Sequence, residues 1–81
     1  MLFKLLLLTI PKDSRMHLSI NGKGCFYGYC IDLEEGHNGD RKIIDYRGKW
    51  IQVEDIEHLE VERVYAYGRN VLGVDLRGEM K

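Results

Sequence analysis

The stretch KWIQVEDIEHLEV, Lys49 to Val61, opens as a β-strand and then breaks its own pattern. Ile51 and Val53 alternate with Gln52 and Glu54, the period of two that turns one face of a strand toward a core. Asp55, Ile56, Glu57 and His58 interrupt, and alternation resumes at Leu59. Val53, Ile56 and Leu59 are spaced by three, the period of a 3₁₀-helix, so one turn can bury all of them and leave the acids outside. The spacing predicts a strand, one 3₁₀ turn near residues 54–58 and a second strand, a corner between two sheets.

Working outward, four dipeptides punctuate the chain. Asn21-Gly22 and Asn38-Gly39 are strong two-residue hairpin signals, because both residue types tolerate positive φ; Arg47-Gly48 and Arg69-Asn70 are weaker ones. Folding the chain about each gives facing pairs. Leu18 faces Cys25 and Met16 faces Tyr27 about the first. Glu35 faces Lys42, Leu33 faces Ile44 and Ile31 faces Tyr46 about the second. Ile44 faces Ile51 about the third. Tyr67 faces Leu72, Tyr65 faces Val74 and Glu62 faces Arg77 about the fourth. The second hairpin also sets Asp32 against Asp45, a like-charge pair that implies a slipped register, a bulge or a bound cation. No segment keeps a helical period over the usual helix length. The expected architecture is all-β: one domain spanning residues 1–81, a small barrel of about five to seven antiparallel strands.

The strand, glycine and turn pattern resembles the SH3/Sm-like small-barrel class. It is also similar to the barrel part of YolD-like proteins over residues 27–62, where Gly28, Ile31, Asp32, Ile51, Val53, Asp55, Ile56 and Leu59 occupy corresponding places. The N-terminal part departs from the YolD pattern. The resemblance implies an architecture and transfers no functional residue.

The opening MLFKLLLLTI reads as a strand that is apolar on both faces, with Phe3, Leu5 and Leu7 on one and Leu2, Leu6 and Leu8 on the other. It falls short of the ~20 residues that span a bilayer and lacks a small-residue cleavage site, so a cytoplasmic, non-membrane protein is expected. Such a strand is either central or covered by another subunit, which suggests a homo-oligomer. A small domain has a thin core, which makes self-association more useful.

The formal net charge is −1, which gives no overall attraction to nucleic acid or anionic membrane. The charge is uneven: residues 34–62 carry four bases and nine acids, whereas each flanking segment carries four bases and two acids. Cys25 and Cys30 would lie roughly 16 Å apart on one extended strand, so free, buried thiols are expected.

No catalytic constellation is visible. Ser14 and Ser19 lie outside any nucleophile elbow, and His17, His37 and His58 are scattered. DLEEGHNGD, Asp32 to Asp40, has His37 where a calcium loop needs glycine, and it reads as a solvated hairpin tip. No zinc-type cysteine spacing exists, and no metal or cofactor is expected.

Two binding readings remain. The first is a non-enzymatic regulator or inhibitor that acts on a protein partner, of the kind found among compact bacterial or phage accessory proteins. Its residues are Trp50, as an apolar anchor, with Glu54, Asp55, Glu57 and Glu60 as an acidic edge. Trp50 lies opposite the Ile51 and Val53 face, so it either packs under the N-terminal strand or stands exposed. The second reading is binding of single-stranded nucleic acid, or of a nucleotide-like molecule in an oligomer cleft. Tyr27 and Tyr29 share a face there, and Arg15, Lys23 and Arg69 supply positive charge.

Overall fold

The computed structural model describes residues 1–36 and 39–80. The chain runs α1 (Phe3–Leu7), β1 (Arg15–Ile20), β2 (Lys23–Tyr29), α2 (Cys30–Glu34), β3 (Lys42–Ile44), β4 (Trp50–Gln52), a 3₁₀ turn (Val53–Asp55), β5 (Glu60–Gly68) and β6 (Val71–Arg77). Strands dominate, in a four-stranded sheet of order β2-β1-β6-β5 and a two-stranded sheet of β3 and β4. The described residues form no closed barrel, and β1 runs parallel to β6, so the all-antiparallel barrel is corrected to two open sheets.

The corner predicted from KWIQVEDIEHLEV is present. Its 3₁₀ turn starts at Val53, and Val53, Ile56 and Leu59 are all buried. Backbone amides close it: Ile56 and Glu57 both donate to the Val53 carbonyl, at 3.0 and 2.9 Å.

The N-terminal strand is corrected to a helix. Residues 1–8 contain no β-branched side chain, and leucine is a strong helix former. Phe3, Leu6 and Leu7 fall on the buried side, at helical spacing, while Lys4, Leu5 and Leu8 are exposed. No side chain caps the helix. Its first free amides are satisfied by the corner instead, Phe3 donating to the Leu59 carbonyl and Lys4 to the Glu57 carbonyl, each at 2.9 Å. Only Leu2 keeps a strand-like bridge, to Glu60. The expectation that this segment is a two-faced strand therefore falls, while Leu5 and Leu8 stay exposed on the helix.

The hairpin expected about Asn38-Gly39 is likewise replaced. Residues 30–34 form α2, which buries Cys30 and Leu33, so the pairs of Leu33 with Ile44, Ile31 with Tyr46 and Asp32 with Asp45 do not form. His37 and Asn38 themselves lie outside the described residues. The other three hairpins exist with shifted registers. About Asn21-Gly22, Ser19 pairs with Gly24, but a bulge then sets Leu18 against Phe26 and Met16 against Gly28. Beyond Arg47-Gly48, Ile43 pairs with Ile51 and Ile44 with Trp50. About Arg69-Asn70, an irregularity at Ala66/Gly68 sets Tyr65 against Gly73 and Val64 against Val74, and a second at Val61/Arg63 sets Glu60 against Arg77.

The buried side chains make one cluster, in which Met16, Leu18, Val74 and Leu76 of the large sheet meet Phe3, Leu7, Leu33, Ile43, Val53 and Ile56. The helices, the β3–β4 hairpin and the corner thus cover one face of the sheet. Cys25 and Cys30 are free and buried, and burial pushes both thiols above their ordinary pKa.

Candidate functional site

The other face of the large sheet is open, and aromatic residues cover it. In β1, Met16 and Leu18 point into the core, so Arg15, His17 and Ser19 point outward. His17 pairs with Tyr27 on one side and Gly73 on the other, and Gly73 pairs with Tyr65. One row across the four strands therefore reads Tyr27, His17, Gly73, Tyr65. The next row reads Tyr29, Arg15, Val71, Gly68.

The rings fit because glycines leave room for them. A Cβ on Gly73 would sit 2.5 Å from the Tyr65 ring, and one on Gly24 would sit 3.1 Å from the Tyr46 ring. Tyr67 stacks on His17 with ring centroids 4.0 Å apart and planes 2° apart. Tyr46, carried in by the β3–β4 turn, tilts onto the same imidazole at 5.9 Å. Its amide donates to the Cys25 carbonyl at 3.1 Å, which docks that turn against β2. Tyr27, Tyr46 and Tyr67 thus surround His17, Tyr65 meets Tyr67 edge-on at 6.5 Å, and Tyr29 lies in the next row. Tyr27, Tyr29, Tyr46 and Tyr67 each keep about half of their surface exposed, between 45% and 57%.

Burial pushes the Tyr46 phenol above its usual range, and the neighbouring Tyr67, Cys25 and Tyr27 push the same way, so it stays a hydrogen-bond donor. His17 Nδ1 is buried and finds no hydrogen-bond partner among the described residues. The Arg63 guanidinium lies 4.2 Å over the Tyr65 ring and is held there by Asp75 at 3.0 Å. Arg15 and Arg69 flank the other end, and neither makes an ion pair with a described residue.

Of the expected nucleic-acid residues, Tyr27, Tyr29 and Arg15 come together, and Arg69 follows Gly68 at the end of their row. Lys23 does not join them. It pairs with Ile20, which packs against the core, and so starts from the opposite side of the sheet. His17, Tyr46, Tyr65, Tyr67 and Arg63 were not anticipated. The alternation of Tyr65 and Tyr67 was a readable signal for two of them. Bringing the rest together requires the bulges and the parallel β1–β6 pairing.

Half of the acidic edge, Glu57 and Glu60, is neutralised at home, as is the neighbouring Glu62. Glu57 pairs with Arg41 at 3.1 Å, Glu60 with the Met1 amine at 3.1 Å, and Glu62 with Arg77 at 3.1 Å. Glu54 and Asp55 make no ion pair with a described residue. Trp50 is not packed under the N-terminal segment. It is 59% exposed opposite an exposed Ile44, with the Lys42 ammonium 4.9 Å from its ring.

Asp45 is a turn residue with a structural task. Its carboxylate accepts from the amides of Lys49 and Arg47, at 2.8 and 2.9 Å. Among the described residues, no three metal-ligating side chains converge, and no helix is long and apolar enough to cross a membrane.

Comparison with protein-family models, with curated proteins and with solved structures gives no match.

Proposed function

We propose that this chain is a non-enzymatic binding module whose tyrosine-covered sheet face takes single-stranded nucleic acid. The observation that carries the reading is the set of half-exposed rings Tyr27, Tyr29, Tyr46 and Tyr67 laid over the row of Tyr27, the buried His17, Gly73 and Tyr65, and edged by Arg15, Arg63 and Arg69. Bases stack on aromatic side chains with little regard to sequence, each worth about 1–3 kcal/mol, while arginines follow the backbone. The strand–3₁₀–strand corner supports a distant relation to the SH3/Sm-like class, and to YolD-like proteins, as part of the same proposal.

Fluorescence anisotropy with labelled single-stranded RNA and DNA tests it. Tyr27→Ala with Tyr29→Ala should weaken binding at least about tenfold, the equivalent of 1.4 kcal/mol. Wild-type protein that ignores both strands at low salt rules the reading out. Equal affinity for a mononucleotide transfers the site to the small-molecule reading.

A second reading rests on a separate observation, the exposed Ile44–Trp50 pair on the β3–β4 hairpin. An apolar cross-strand pair with tryptophan suits the centre of a protein interface. Trp50 is the chain's only tryptophan, so its emission should shift to the blue when a protein partner covers it.

A further inference from the structure

β5 is the longest strand of the chain and forms one edge of the large sheet. Its beginning is already occupied, since Leu2 bridges Glu60 and the Val61 amide donates to the Met1 carbonyl at 2.8 Å. From Glu62 to Gly68 no described segment pairs with that edge. The opposite edge, β2, is blocked in its middle by the Tyr46 amide on the Cys25 carbonyl. An uncovered edge is a template for another strand, and proline or lysine commonly guards against that. Residues 62–68 contain neither.

The side chains also ask for cover. Val64 and Ala66 pair with Val74 and Leu72, so they lie on the core side of the sheet, yet both are exposed, Val64 to 46%. Beside Ala66 runs an apolar groove of about 490 Å³, lined by Ile10, Pro11, Val71 and Leu72. The core stops short of the end of this strand.

We infer that β5 pairs antiparallel with β5 of a second copy, about a two-fold axis at Tyr65. Strand partners must point to the same face, and this axis satisfies that from Arg63 to Tyr67, between the two irregularities of the strand. It sets Val64 against Ala66 of the other copy on the core side, so each apolar residue covers the other. On the open side it sets Arg63 against Tyr67 of the other copy, a cation against an aromatic ring. Glu62, already paired with Arg77, comes beside Gly68. A parallel arrangement would instead place Arg63 against Arg63. Avoiding the Arg63–Arg63 contact, and gaining Arg63 against Tyr67, thus selects a second copy in the antiparallel sense. A two-fold perpendicular to the sheet keeps faces aligned, so the product is an eight-stranded sheet with one continuous aromatic face.

Sedimentation velocity over a wide range of protein concentration, without nucleic acid, tests this independently of the proposed ligand. The wild type should pass from monomer to dimer. Val64→Lys with Ala66→Lys opposes lysines across both central pairs and should stay monomeric. Mixing that chain with one carrying Val64→Glu and Ala66→Glu should restore a one-to-one dimer. Should the variants fail to fold, deuterium exchange on the unaltered protein decides: the amides of residues 62–68 gain protection with concentration in a dimer of this kind. A wild type that stays monomeric throughout, a dimer that survives the lysine pair, or protection that appears elsewhere overturns the inference.

Discussion

Gly73 carries the aromatic face by lacking a side chain. Because a Cβ there would meet the Tyr65 ring at 2.5 Å, Gly73→Val must lift that ring or shift β6. Overpacking of this kind costs about 1–3 kcal/mol. The expected result is a lower denaturant midpoint together with a loss of near-ultraviolet circular dichroism from the ordered tyrosines. Unchanged dichroism would mean that the ring does not rest on the glycine. Asp45 illustrates a second residue-level effect. The Lys49 amide does most to hold its carboxyl below the ordinary range; burial opposes this, and the Arg47 amide and charge assist. A depressed folded pKa adds stability that is present above the unfolded value of about 3.9 and is lost as pH falls through the folded value. Asp45→Asn should therefore flatten the acid side of the stability–pH curve, while wild type and variant keep a constant difference above pH of about 5. An acid limb of unchanged slope would assign that transition to other carboxylates, with Glu62, held down by Arg77, the first to examine.

At the scale of elements, the 3₁₀ corner is the joint on which the fold turns. It receives α1 through the Leu59 and Glu57 carbonyls and places Val53, Ile56 and Leu59 in the core. Ile56→Ala should cost about 2–5 kcal/mol, because a fully buried side chain leaves a cavity. Glu54→Gln, on the exposed side of the same turn, should stay within about 0.5 kcal/mol. Equal effects in urea denaturation would show that the corner is not packed as described. This corner was legible in the sequence because its apolar spacing of three has few competing readings. The helix α1 was not. Leucine at nearly every position hides which ones face the core, so the run fits a strand of period two as well as a helix of period 3.6. The discriminating cue was compositional, the lack of any β-branched residue before Thr9. Ile31 misled in the opposite direction, since a β-branched residue sits in the first turn of α2 and stays 39% exposed. Hairpin turns were readable from their dipeptides, but bulges are set by how rings and glycines pack across strands, and they moved the β1–β2 register by one and the β5–β6 register by one and then two. The tyrosine pair 27 and 29 was visible for the same reason the corner was. The gathering of Tyr46 and Tyr67 onto His17, with Tyr65 against Tyr67, depends on pairings distant in sequence.

At the scale of the whole molecule, a chain of net charge −1 needs local rather than global attraction to bind a polyanion. The open face supplies it through Arg15, Arg63 and Arg69, while the acids of the corner are mostly paired on another part of the surface. Stacking and charge should then separate in a salt titration. Release of counterions from single strands gives a slope of about −0.7 per phosphate neutralised. The two arginines without an ion pair to a described residue, Arg15 and Arg69, predict a slope of about −1.4, so affinity should fall about 7-fold between 50 and 200 mM salt. Arg15→Gln with Arg69→Gln should bring the slope close to zero, because Asp75 already compensates Arg63. Tyr27→Ala should lower affinity at every salt concentration and leave the slope alone, because stacking releases no counterions. A protein partner seated on Ile44 and Trp50 would behave differently. Its affinity would be nearly flat with salt and indifferent to Arg15 and Arg69. The two surfaces lie on different sheets, so one titration series, repeated with Trp50→Ala, assigns binding to the aromatic face or to the hairpin.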